Sequence, residues 1–211
     1  MQKIDLAKIY KSYYSAAAQP YLDTFEKVAY LSILGKGDPS GEGFSGCIQA
    51  LYATAYALKF QYKAAGQDFV VPKLEGLWWF DEQRFPNQTI HTAPTQVPRS
   101  EWEFRLLIRL PDFVQPESLK TAAQTAVTKK NIVLAASVEW LALEEGLCVQ
   151  MMHTGPFANE PDSLKIMAAF MQEHKLGKNG LHHEIYLSDF RTTAPEKLKT
   201  ILREPVWRMD S

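Results

Sequence analysis

Glu184 and Tyr186 stand two residues apart in the run His182-His183-Glu184-Ile185-Tyr186-Leu187-Ser188-Asp189. Alternation along an extended strand puts His182, Glu184 and Tyr186 on one face and His183, Ile185 and Leu187 on the other. A carboxylate and a phenol on one face can act on one bound molecule, the first as general base or cation partner, the second as hydrogen-bond donor. A second acidic run, Leu74-Glu75-Gly76-Leu77-Trp78-Trp79, groups Glu75, Leu77 and Trp79 by the same rule and turns Trp78 away. Carboxylates set among indole and phenol rings suit aromatic cations, because each ring face attracts a cation by about 0.5 to 2 kcal/mol and stacks on planar ligands with a comparable gain. The candidate catalytic pair is therefore Glu184 and Tyr186, with Glu75, Trp79, Trp140, His182 and Met151 as candidate ligand-binding residues. Plainer readings stand beside these: Glu75 could pair with Lys73 on its own face, Tyr186 could be core with its hydroxyl satisfied, and Trp140 could be a packing residue alternating with Val138 and Ala142.

Other chemistry finds no support. Adjacent strand residues diverge, so His182 and His183 do not ligate one ion, and no metal or cofactor is expected. His153, before Gly155-Pro156, reads as fixing a turn. The glycine-rich stretch from Gly35 to Gly43 lacks the Gly-Lys-Ser/Thr ending of a phosphate loop and the spacing of a dinucleotide site, and no Gly-x-Ser-x-Gly elbow is present. Lys plus Arg number 23 against 24 for Asp plus Glu, a net charge of −1. That leaves no positive field for nucleic acid. No stretch approaches the roughly 18 apolar residues that span a bilayer. Cys47 and Cys148 sit in apolar contexts and read as core thiols of a reducing compartment. With no signal-peptide pattern at the start, the expected place is the cytoplasm.

The elements that must carry these groups fall into two similar halves. A short lead-in helix runs from Asp5 to Tyr14. A strand from Phe25 to Leu34 follows, then a long helix with Phe44, Cys47, Ile48, Leu51, Ala55, Leu58 and Tyr62 at spacings of three and four, and strands over Phe69 to Phe80 and Trp102 to Leu110. A helix after Pro116 and an apparent hairpin of Val138–Leu143 with Leu147–His153 lead into a second strand, helix, strand and strand ending near Arg203. Leu74-Glu75-Gly76-Leu77-Trp78 can be laid on His183-Glu184-Ile185-Tyr186-Leu187, setting Glu75 on Glu184. The expectation is an α+β domain spanning 1–211: a lead-in (1–24), a first module (25–111), a connecting helix and strand (112–145) and a second module (146–211). Pseudo-two-fold symmetry would bring a carboxylate from each duplicated strand-helix-strand-strand module to a central ligand cleft where uncovered sheet faces meet.

These motifs, with His153-Thr154-Gly155-Pro156, Gly35-Lys36-Gly37-Asp38-Pro39 and Leu198-Lys199-Thr200-Ile201-Leu202-Arg203, resemble stand-alone GyrI-like small-molecule-binding proteins over nearly the whole chain. The resemblance implies a duplicated fold related to the drug-sensing domains of MerR-type and AraC-type regulators, here without a DNA-binding helix-turn-helix. It implies bulky aromatic, often cationic, small-molecule ligands, and in one branch hydrolysis of the strained cyclopropane of DNA-alkylating indole antibiotics. Glu184 matches the glutamate that faces the cleft in such relatives. In the hydrolytic branch it would orient and deprotonate water while Tyr186 hydrogen-bonds the oxygen that gains charge, with Glu75 in support. The resemblance equally accommodates a multidrug-binding protein without chemistry, and a topoisomerase-inhibiting partner follows from the family's name alone.

Overall fold

Alternating apolar residues build the strands β1 (Tyr21–Phe25), β2 (Val28–Lys36), β3 (Glu75–Trp79), β4 (Glu103–Arg109), β5 (Glu139–Leu143), β6 (Gly146–Thr154), β7 (Leu176–Lys178), β8 (His182–Tyr186) and β9 (Lys199–Arg208). They are seen in a computed structural model that describes residues 3–89 and 91–209. The helices are α1 (Leu6–Ile9), α2 (Glu42–Ala64), α3 (Ala93–Gln96), α4 (Ser118–Lys130) and α5 (Glu160–Glu173). Each half is strand-helix-strand-strand, β2-α2-β3-β4 and β6-α5-β8-β9. The strand order is β1-β6-β9-β8-β3-β4-β2-β5, with β7 added beside β9. The halves are thus reversed copies, and the pseudo-two-fold axis passes through the antiparallel β3–β8 pair at their junction.

The hairpin expected between 138–143 and 147–153 does not form. β5 pairs with β2, and β6 pairs with β1. Phe25 faces Gly146 and Val28 faces Leu143 in one unbroken register, although Glu26-Lys27 and Glu144-Glu145 intervene. Both ends of the strand row are therefore carried by the same two chain segments, and the sheet closes on itself. Closure gives both segments partners along edges that a hairpin would have left bare. The locally turn-like Glu144-Glu145-Gly146 is a crossover instead.

Closure gives the sheet an outer and an inner face. On the outer face α2 places Phe44, Ile48, Leu51 and Leu58 in one buried cluster with Leu31, Ile33, Leu106 and Ile108. Likewise α5 buries Leu164 and Met167 with Val149, Met151 and Leu202. The inner face carries a connected set of polar groups among apolar residues such as Leu77, Leu107 and Ile185. Tyr13 donates to Glu75 (2.5 Å), His183 sits between Glu75 (3.0 Å) and Glu145 (2.8 Å), and Arg203 donates to Glu145 (2.7 Å) with its guanidinium 3.5 Å from the centre of the Phe25 ring. Leu6, Tyr13 and Tyr14 of the N-terminal segment are buried in this half of the core. Burial works against charge here, yet His183 and Arg203 together hold Glu145 down at about 2. His183 is in turn raised by Glu145 and Glu75 against the same desolvation. The meeting of sheet faces expected around a ligand cleft is therefore a packed ionic core, and the open space lies on the helix-bearing side.

Candidate functional site

Between α2 and α5, the outer faces of β3 and β8 floor a cavity of about 390 Å³. Trp78 comes from β3 and His182, Glu184 and Tyr186 from β8. Phe44 of α2, Trp102 before β4, and Phe157 and Phe190 from loops supply aromatic walls, while Glu160 looks in from the first turn of α5. Gly76 lies directly opposite Glu184 across the β3–β8 ladder. A Cβ there would stand 2.9 Å from Trp78 Nε1 and 3.1 Å from Tyr186 Oη. Only a residue without a side chain lets indole and phenol fold over this point. Trp78 then donates its indole N–H to the Tyr186 oxygen (2.9 Å), and Tyr186 donates its proton to Glu184 Oε2 (2.6 Å).

The other carboxylate oxygen of Glu184 faces His182 Nε2 at 3.3 Å, an ion-pair neighbour without a hydrogen bond. His182 Nδ1 is 2.5 Å from Glu204 Oε1. Burial disfavours the imidazolium, but Glu204 and then Glu184 outweigh it and push His182 up to about 10. The ring is therefore charged at neutral pH and donates to Glu204 through Nδ1. Burial and the neighbouring Glu184 charge raise Tyr186 well above its usual range, so the phenol keeps its proton.

Glu160 lacks such partners among the described residues. Burial first and the Glu184 charge second lift it well above the ordinary carboxylate range. Its place in the first turn of α5 favours the anion by only about 0.3–1 kcal/mol, whereas desolvating an unpaired charge costs several. Its Oε1 is buried without a hydrogen-bond partner. The cavity thus holds two carboxyl groups, one of which, Glu160, has its proton affinity raised by burial and by its neighbour.

Among the residues singled out from sequence, Glu184, Tyr186 and His182 line the cavity together. Glu75 does not: it is fully buried on the inner face, bonded to Tyr13 and His183 rather than to Lys73. Trp79 shares that face and donates to Glu103 at 3.2 Å, so of this adjacent pair it is Trp78 that lines the cavity. The superposition of Glu75 on Glu184 is one residue out of step, and such a slip exchanges the faces of every side chain. By face, Glu75 corresponds to His183 and Gly76 to Glu184. Trp140 lies on β5 opposite Leu31, away from the cavity. Met151 packs beneath α5 with Leu164 and Met167, behind the cavity wall. His153 fixes its turn, with ring nitrogens 2.9 Å from Ser163 Oγ and 3.2 Å from the Pro156 carbonyl oxygen. Glu160 was not found from sequence because an acid beside Pro161 at a helix start already has a sufficient reason in capping and dipole. Among the described residues, no group of three or more His, Cys, Asp or Glu could hold a metal ion, and no helix is long and apolar enough to cross a membrane.

A family profile described as a GyrI-like small molecule binding domain matches residues 18–206. The crystal structure of a hydrolase from Listeria innocua superposes with a TM-score of 0.83 at 39% identity, covering 97% of this chain and 100% of that one. Another hydrolase structure from the same organism gives 0.85 at 38% identity over 98% and 100%. The C-terminal domain of EcmrR shares the fold alone, with a TM-score of 0.56 and 9% identity over 90% and 98%. No curated protein gives a significant sequence match.

Proposed function

This chain belongs to the GyrI-like small-molecule-binding family, and we propose that its α2–α5 cavity binds bulky aromatic electrophiles and opens strained cyclopropane rings in them by adding water. The observation that carries the proposal is the carboxylate of Glu184, beside Tyr186 and His182, in one aromatic cavity with the buried carboxyl of Glu160, whose proton affinity is raised. Likeness over nearly full length to proteins named hydrolases supports it.

In a cyclopropane conjugated to a dienone, water adds at the ring CH2 carbon. Glu184 takes one proton of that water as the new carbon–oxygen bond forms. The cyclopropane carbon–carbon bond breaks, and its electron pair moves into the dienone to leave a phenolate oxygen. Glu160 gives its proton to that oxygen, so the product is the substrate plus one water. Solvent exchange then returns the proton from Glu184 to Glu160. Tyr186 has its proton committed to Glu184 and acts by orienting it, which moves the donor role expected for Tyr186 to Glu160. A positioned general base contributes about 10² to 10⁴ in rate, and release of ring strain supplies further drive.

Sequestration of aromatic cations without chemistry is a second reading. It is favoured by two carboxylates, Glu184 and Glu204, around the single His182 imidazolium. Chromatography of a spirocyclopropyl-dienone indole incubated with wild type, Glu184→Gln and Glu160→Gln separates the two. Conversion by wild type that falls by 100-fold or more in Glu184→Gln supports hydrolysis. Wild-type binding without conversion refutes it and leaves sequestration.

A further inference from the structure

We infer that the inner face of the closed sheet binds one internal water molecule, held jointly by Tyr14 Oη, Glu75 Oε1 and Arg109 Nε. The site lies on the opposite side of the sheet from the cavity and does not depend on the function given to that cavity. Tyr14, Glu75 and Arg109 are 8%, 0% and 4% exposed, and none of the three atoms has a hydrogen-bond partner among the described residues. A buried donor or acceptor left unpaired forfeits its hydration, and ordered water satisfies such groups where protein partners are lacking.

Strand register brings the three groups together. Glu75 of β3 faces Leu107 of β4, and Arg109 of β4 faces Tyr30 of β2. Glu75 and Arg109 are therefore diagonal neighbours on one sheet face, a separation of about 7–8 Å that two long side chains span. Tyr13 is the hub between them. Its hydroxyl meets Glu75 Oε2 at 2.5 Å and Tyr30 Oη at 2.7 Å, its ring centre lies 4.4 Å from the Arg109 guanidinium carbon, and the Tyr14 ring packs against it at 4.7 Å between centres. Burial first and the Glu75 charge second raise the Tyr14 phenol, while Arg109 lowers it, so both groups act on a hydroxyl that keeps its proton. Charge also selects the ligand. An anion would be repelled by Glu75 and a cation by Arg109, whereas water accepts from Arg109 Nε–H, donates to Glu75 Oε1 and has valences left for Tyr14. Three partners is the usual number for an internal water. The molecule thereby ties the N-terminal segment to β3 and β4 beside the direct Tyr13–Glu75 bond.

A high-resolution crystal structure of the wild-type protein tests this directly. The expected result is a single water peak within about 2.7–3.2 Å of all three atoms. Denaturant unfolding of Tyr14→Phe supplies a thermodynamic counterpart whose sign is decisive. A hydroxyl bonded to water is a net gain, so its removal is expected to lower the ratio of folded to unfolded protein about 3- to 10-fold. A hydroxyl buried without a partner is a net cost, and its removal would stabilise the protein. A map without the peak, a peak that contacts fewer than three of the atoms, or a Tyr14→Phe variant as stable as wild type or more so overturns the site. Where Tyr14→Phe does not fold, the wild-type map alone decides.

Discussion

His182 makes the outer-face charge cluster testable without any ligand. Its folded-state pKa of about 10 stands above 6.5 for the free side chain. At about 1.36 kcal/mol per unit, the shift is worth about 5 kcal/mol. Because the folded value is raised, this stability is complete below pH 6.5 and is lost progressively as pH rises from there to about 10. Glu204 is the leading cause of the rise. Glu204→Gln should therefore cost about 3–5 kcal/mol at pH 6.5, the usual penalty for breaking a buried charge pair. The gap from wild type should narrow as pH rises toward and through 10, where His182 loses its proton in wild type as well. Denaturant unfolding at intervals of half a pH unit, read by tryptophan fluorescence, measures both curves. A gap that stays constant from pH 6.5 to 10 would refute the assignment of a charged His182 held by Glu204.

Infrared spectroscopy at pH 7 should show a protonated carboxyl band that disappears in Glu160→Gln. In Glu184→Gln that band should persist only to lower pH, since the Glu184 charge helps raise Glu160. Gly76→Ala should leave the protein folded but lower turnover by about 10-fold or more, because its Cβ displaces the Trp78–Tyr186 hydrogen bond that steadies Glu184; wild-type kinetics in this variant would disprove the role of that chain of bonds. On the inner face, Glu145 at about 2 contributes about 3 kcal/mol that is present above pH 4.5 and lost as pH falls through 2. Glu145→Gln should flatten that acid limb in denaturant unfolding.

The modules were readable from sequence because their signals are local. The spacing of Phe44, Ile48, Leu51 and Leu58 specifies α2 within two residues of its ends, and alternation correctly groups Glu184 with Tyr186 and Glu75 with Trp79. Alternation says which residues share a face but not which face meets the cavity. That choice is made by tertiary pairing, which put Trp78 rather than Trp79 beside Tyr186. The β5–β2 and β6–β1 ladders join residues more than 100 positions apart, beyond the reach of turn chemistry at Glu144-Glu145-Gly146. Glu160 was hidden for another reason: its acidity is altered by burial beneath α5 and by Glu184 across the cavity, neither of which leaves a mark at its own position.

A single turnover in water labelled with heavy oxygen puts the role of Glu184 to the most direct test, with a spirocyclopropyl-dienone indole as substrate and enzyme in excess. If Glu184 activates water, the label enters the opened ring carbon in the first turnover, and Glu184→Gln slows that step by 100-fold or more while still binding the substrate. Unlabelled product in the first turnover, with the oxygen drawn from the Glu184 carboxylate, or undiminished conversion by Glu184→Gln, would contradict the account.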